Sequence, residues 1–141
     1  MIKMHPYLNF SGKAEEAFNF YKSIFGGEFS IVMRMGDTPG SENLPESERN
    51  LLMHISFPIN ENLVLMGSDC APSSGIVLTN GNNMYISVSP DSRTEAEKLF
   101  NGLSSGGLVE MPLEDQFWGD YFGSFKDKYG ICWMINFGHQ A

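Results

Sequence analysis

The feature that most constrains this chain is a pattern that occurs twice. Residues 2–10 alternate, with Ile2, Met4, Pro6, Leu8 and Phe10 on one side and Lys3, His5, Tyr7 and Asn9 on the other, as a half-buried strand does. Residues 13–25 then repeat at helical spacing, with Ala14, Ala17, Phe18, Tyr21, Ile24 and Phe25 on one stripe, and Gly26-Gly27 stops the helix. The same sequence of events restarts at residue 83. A strand over 83–89 sets Met84, Ile86 and Val88 against Asn83, Tyr85 and Ser87. Ser92-x-x-Glu95 is a capping box opening a helix with Ala96, Leu99, Phe100 and Leu103 on its stripe, closed by Ser105-Gly106-Gly107. A period of about 80 residues, carried by pattern rather than identity, predicts two copies of one supersecondary unit.

Each copy continues in strands. The first reads as strands over 28–35, 51–58 and 63–68, giving β-α-β-β-β. On 51–58, Leu51, Met53, Ile55 and Phe57 point one way and Leu52, His54 and Ser56 the other. The second continues with a strand over 108–113 and a hairpin with arms 117–125 and 131–137. Its loop, 126–130, ends in Gly130, where a positive φ fits. Trp133 and Ile135 read as core, leaving Cys132, Met134 and Asn136 for the opposite face. Pro6 has no N–H to give a ladder, so the first strand should have a free edge or a gap there. Ser11 is the predicted N-cap of the first helix. Residues 36–50 form a long polar loop, either a lid or a variable excursion. Residues 70–82 read as a linker between modules 1–69 and 83–141.

The totals exclude several classes. The 141 residues are 42% apolar and 18% charged, a globular composition of one domain or two small repeats. A net charge of −8 with nine scattered basic residues argues against nucleic acid or an anionic membrane surface as partner. No apolar run reaches membrane-spanning length, and no secretory signal pattern opens the chain. Cys70 and Cys132 fit no metal spacing, so a reducing cytoplasmic location is the expectation.

Three stretches carry a resemblance. Residues 118–136, W-G-D-Y-F-G-S-F-K-D-K-Y-G-I-C-W-M-I-N, resemble the C-terminal signature of the vicinal-oxygen-chelate (glyoxalase/bleomycin-resistance/dioxygenase) superfamily, in its PhnB-like branch, also labelled 3-demethylubiquinone-9 3-methyltransferase-like. The opening, Met4-His5-Pro6-Tyr7-Leu8-Asn9-Phe10 with Ala14-Glu15-Glu16-Ala17-Phe18-Asn19-Phe20-Tyr21 and Phe25-Gly26-Gly27, is similar to the start of that branch. So is Met53-His54 with Leu65-Met66-Gly67-Ser68-Asp69. The resemblance implies an α+β fold: two βαβββ modules forming an open curved sheet around a cavity, helices outside, completed as a homodimer.

Metal-dependent members of that superfamily place one His or Glu ligand on each of four cavity strands. Carried onto this chain, the pattern falls on His5, about Met66, Tyr85 and Met134. Only His5 is a good ligand, because a thioether or neutral phenol binds Zn, Ni, Fe or Mn poorly. His54 could face His5 across the cavity as a weak second ligand. Either histidine on a strand is more often a hydrogen-bonded wall residue, and His139 sits at the chain end. Asp115 and Asp120 flank the Trp-Gly turn and could position a ligand or act as base, though turn residues there are commoner. No nucleophile elbow or phosphate-cradling glycine loop is present, nor the strand–glycine-rich turn–helix of a doubly wound S-adenosylmethionine site.

The expectation is therefore a small-molecule binding protein without catalytic metal or other cofactor. Its pocket would be lined by His5, Tyr7, His54, Met66, Tyr85, Trp118, Tyr121, Phe122 and Met134. The aromatic hairpin and acidic charge would suit an aromatic or cationic ligand. The alternative is a lyase, isomerase or dioxygenase acting on a small oxygenated substrate, with His5 as base or metal ligand. A third possibility is an interaction module whose cavity is filled by its own side chains, for which nine methionines would serve.

Overall fold

The computed structural model describes residues 1–138; His139 lies outside them. The described chain forms two compact units, residues 1–79 and residues from 80 onward, and each is a βαβββ module. The first contains β1 (Tyr7–Phe10), α1 (Ala14–Phe25), β2 (Ile31–Arg34), β3 (Leu52–Asn60) and β4 (Leu63–Asp69). The second contains β5 (Ile86–Val88), α2 (Arg93–Ser104), β6 (Leu108–Asp115), β7 (Tyr121–Lys126) and β8 (Cys132–Phe137). The two four-stranded sheets have the same topology, β1-β4-β3-β2 and β5-β8-β7-β6, each with one parallel pair at its edge. The internal repeat is thus a repeat of fold.

In the first unit α1 packs on the face bearing Leu8, Phe10, Ile55, Phe57 and Leu65, all buried. Phe18 meets Phe10 edge-on at 6.2 Å between centroids. Gly67 makes this approach possible, because a Cβ there would lie 2.6 Å from the Leu8 carbonyl and 2.8 Å from the Phe18 ring. Gly123 plays the same part in the second unit, where a Cβ would meet Phe100 of α2 at 2.6 Å. Phe100 stacks edge-on with Phe125 at 5.1 Å, and Trp133 and Ile135 complete the core as predicted. All four residues of the α2 stripe are buried.

Several local expectations need correction. The first strand begins at Tyr7, not residue 2, so Ile2 and Met4 are exposed rather than core; β1 is an edge strand, as Pro6 required. The N-cap of α1 is Lys13, which makes no side-chain cap, rather than Ser11. The Asp69 carboxylate on β4 does the capping instead, accepting from Ala14 N–H at 2.9 Å and, through its other oxygen, from Leu52 N–H at 2.9 Å. At α2 the box forms with a shift: Ser92 accepts from Glu95 N–H, but the Glu95 carboxylate accepts from Asp91 N–H.

A bulge breaks the alternation of β3. Met33 pairs with His54 but Arg34 pairs with Leu52, so Met53 is the extra residue. Leu52 is therefore buried beside Ile55 and Phe57, and Met53 is exposed, the reverse of the sequence reading. The 36–50 loop is not structureless, containing three single 3₁₀ turns at Met35–Asp37, Ser41–Asn43 and Glu46–Glu48. Residues 70–79 belong to the first unit and carry a further turn at Pro72–Ser74. Among the described residues no helix is long and apolar enough to cross a membrane.

Candidate functional site

Side chains alternate across a strand, so each sheet has a face away from its helix. On the first sheet Tyr7, Met66, Ser56 and Ile31 form one row across all four strands through the pairs Tyr7–Met66, Ser56–Met66 and Ile31–Ser56. His54 stands beside this row and is held at both ring nitrogens. Its Nδ1 lies 3.1 Å from the Tyr7 hydroxyl and its Nε2 lies 2.8 Å from the Ser56 hydroxyl. The Tyr7 and His54 rings are 5.6 Å apart. One neutral tautomer satisfies the chain throughout, with Tyr7 O–H donating to Nδ1 and Nε2–H donating to Ser56. His5 is separate from this chain of bonds: its Nδ1 accepts from the Val64 N–H at 3.1 Å. Ser56 is 5% exposed while Tyr7 is 42% exposed, so the chain runs from the sheet outward.

On the second sheet the row is Ser87, Met134, Ser124 and Met111. Phe122 and Asn136 pair on the next row with Glu114. Tyr85, just before β5, donates its hydroxyl proton to Glu110 on β6 at 2.7 Å. The phenol pKa is pushed up to about 12, first by this hydrogen bond to a carboxylate and then by lost hydration and the carboxylate's charge. Cys132 lies close enough to contribute to that shift, and burial raises its own thiol. A thiol so placed is a poor nucleophile.

The predicted site residues thus divide. Tyr7, His54 and Met66 gather on one helix-free face, with Ser56 beside His54 as the alternation of their strand predicted. Tyr85, Phe122 and Met134 lie on the other, with Glu110 as an added partner. Tyr121 is a correction: it lies on the helix side, donating to Glu97 of α2 at 3.0 Å beneath the Arg93 guanidinium, which sits 3.8 Å from the ring centroid. Burial and the Glu97 carboxylate raise its phenol pKa. Trp118 and Phe117 are also displaced, since the strand begins at Tyr121 and both fall in the β6–β7 turn. There Trp118 is half exposed, 6.2 Å from the Phe122 ring and 5.0 Å from Phe117. Asp115 is locked by Arg93 through two bonds of 2.7 and 3.2 Å, which hold its carboxyl below the usual range. Asp120 is buried and accepts from the Asn136 amide. Asp115 thus ties β6 to α2, and Asp120 ties the start of β7 to β8.

Glu110 is the functional candidate that the sequence reading missed. Its signal was a lone carboxylate inside an apolar strand, V-E-M, at a bulge between Val109 and Met111. For a metal, the donor chemistry is poor. Among the described residues no three His, Cys, Asp or Glu side chains cluster as a ligand set. His54 could ligate only by giving up a hydrogen bond.

Comparison with known proteins agrees with this architecture. The model of the family described as 3-demethylubiquinone-9 3-methyltransferase matches residues 2–136. Protein YjdN of Escherichia coli K12 is 29% identical over 141 residues, covering 96% of this chain and 95% of its own. The crystal structure of protein PA1353 from Pseudomonas aeruginosa is 35% identical with a TM-score of 0.86, covering 99% of this chain and 100% of that one. The PhnB protein from Bacillus cereus is 28% identical with a TM-score of 0.78, covering 97% and 100%. A glyoxylase/bleomycin resistance protein/dioxygenase domain from Frankia, 15% identical with a TM-score of 0.67 and covering 99% and 98%, shares the fold.

Proposed function

Because this chain belongs to the 3-demethylubiquinone-9 3-methyltransferase family, the PhnB-like branch of the glyoxalase/bleomycin-resistance/dioxygenase superfamily, we propose that it binds a small molecule on the helix-free faces of its sheets without a catalytic metal. The observation that carries this reading is the Tyr7–His54–Ser56 chain. It sets one preorganised polar group among thioether and aliphatic side chains, which is the composition of a small-molecule site. Met66 and the exposed Ile31 and Met33 surround it. On the second face Tyr85 and Glu110 stand among Met111, Met134 and Phe122 in the same manner.

The methyltransferase in the family's description finds no support in the fold. Parallel pairing is confined to one edge pair in each sheet, whereas a doubly wound cofactor site needs adjacent parallel strands feeding a glycine-rich turn and helix.

One observation favours a second reading, a His-assisted lyase, isomerase or dioxygenase. A histidine bonded on both sides can take a proton at one nitrogen as it releases one at the other. Tyr7 is the outward end of that path.

The test is a thermal-shift screen of apolar and cationic small molecules, followed by the hits against Tyr7→Phe and Tyr85→Phe. Binding should stabilise in proportion to the logarithm of ligand concentration. Affinity should fall about tenfold in one variant or both, the loss of one hydrogen bond to a ligand. Hits whose affinity neither substitution changes would sink the proposal.

A further inference from the structure

The first unit holds a cavity of about 230 Å³ away from the polar chain just described. It is lined by Ser11, Gly12, Ser47, Glu48, Leu51, Cys70 and Pro72. Glu48 is 5% exposed, a carboxylate more than nine-tenths buried in the wall of a cavity. Its Oε1 accepts from the Ser73 hydroxyl. No hydrogen bond reaches Oε2 from any described residue. The neighbouring Arg49 is committed elsewhere, donating to the carbonyls of Ser41 at 2.7 Å and Gly36 at 3.4 Å.

Among the described residues Oε2 is not one of the buried atoms left without a partner, so it is an accessible acceptor in the wall of the cavity, open to a bound donor. We propose that this cavity binds a small primary ammonium ion, with Glu48 as its counter-ion and the hydroxyls of Ser11 and Ser47 as further acceptors. Each feature of the lining narrows the class. No lysine or arginine faces the cavity, so an anion is excluded. A neutral apolar guest would leave Oε2 bare. No aromatic ring lines it, so the cation–π contact that holds a quaternary ammonium is missing. A metal ion would find one carboxylate, two hydroxyls and a thiol, short of the donor set that a divalent ion takes. An ammonium supplies N–H donors, and Leu51 and Pro72 accommodate a short alkyl chain.

Methylammonium chloride is the probe, with sodium chloride and tetramethylammonium chloride at equal ionic strength as comparisons. In amide shift mapping of the whole protein, methylammonium should move the Gly12, Ser47, Glu48 and Cys70 resonances saturably, and neither comparison salt should. Cys70 is half-buried in the cavity wall whereas Cys132 is buried. Its alkylation by iodoacetamide should therefore slow at least threefold at saturating methylammonium. Glu48→Gln should weaken binding tenfold or more. Shifts that do not saturate, or that tetramethylammonium reproduces, would overturn the proposal. The comparison among the three salts decides on the unmutated protein, so it stands even if Glu48→Gln does not fold.

Discussion

Tyr85 and Glu110 belong to opposite edges of the second sheet, and the phenol crosses the face to place its hydroxyl 2.7 Å from the carboxylate. Edge to edge, four strands span about 14 Å at normal inter-strand spacing, so the two side chains bridge the face over β8 and β7. This bridge has a pH signature. A phenol donating to a carboxylate resists ionisation, and the Tyr85 pKa is pushed up to about 12. The folded state thus holds a proton that the unfolded chain releases near the ordinary value of about 10. The stabilisation is complete below the unfolded value and is lost as pH rises through the folded one. Phenolate absorbance should show one tyrosine titrating near the top of that window, and Glu110→Gln should bring it down toward the ordinary value. An unchanged titration in Glu110→Gln would refute the bridge.

Asp127 holds the β7–β8 loop from inside. It is 3% exposed, and its carboxylate accepts from Tyr129 N–H at 2.8 Å, Ile131 N–H at 3.0 Å and the Trp133 indole N–H at 2.8 Å. Gly130, at φ +92°, supplies the turn that points those donors inward. Asp127→Ala would leave three donors without an acceptor, costing on the order of 3 kcal/mol. Asp127→Asn keeps one acceptor oxygen and should cost less. Urea unfolding followed by Trp fluorescence measures both; equal losses would show that the carboxylate acts by charge alone.

The glycines beneath the helices make a matched pair. Gly67→Ala drives a methyl into the Leu8 carbonyl and the Phe18 ring, and Gly123→Ala drives one into Phe100 and the Leu113 backbone. Each should destabilise by about 1–3 kcal/mol, the usual cost of overpacking. Gly26→Ala, where nothing stands within 4 Å of the added carbon, separates steric cost from backbone strain: its loss comes from its φ of +77°. Thermal melts of the three variants should show a loss at Gly67 and Gly123 that persists when residue conformation cannot explain it.

What could be read in advance follows the range of the forces involved. The α2 stripe, the Gly-Gly stops and the Trp133/Ile135 core were legible because helical and strand periodicity are local. Three features were not. The bulge at Met53 inverts the face of Leu52, and only pairing with Arg34 reveals it. The cap of α1 comes from Asp69, 55 residues away. Phe117 and Trp118 look like strand residues by type, yet the turn that joins β6 to β7 claims them. For the candidate site, Tyr7, His54 and Ser56 were visible on the mixed sides of their strands, but the bonds that join them and the Glu110 partner of Tyr85 were not. Ser56 reaches His54 along one strand, while Glu110 reaches Tyr85 across a sheet. That juxtaposition depends on topology and not on spacing.

His54 has Tyr7 on one nitrogen and Ser56 on the other; a bound ion would replace one of these bonds and, at Nδ1, displace the tyrosine. His5 has only Nε2 left, since Nδ1 accepts from Val64 N–H. The other positions onto which the resemblance carries the superfamily's ligands are about Met66, Tyr85 and Met134, and the Tyr85 proton is held more tightly than usual, so a phenolate ligand is disfavoured further. A divalent ion would find the one open imidazole nitrogen of His5, and a second from His54 only by breaking a hydrogen bond, whereas structural or catalytic sites take three or four ligands. Protein supplied with Zn, Ni, Mn and Fe and then desalted should retain well under one metal per chain by elemental mass spectrometry. Retention near one per chain, lost in His5→Ala, would replace the binding reading with a metalloenzyme.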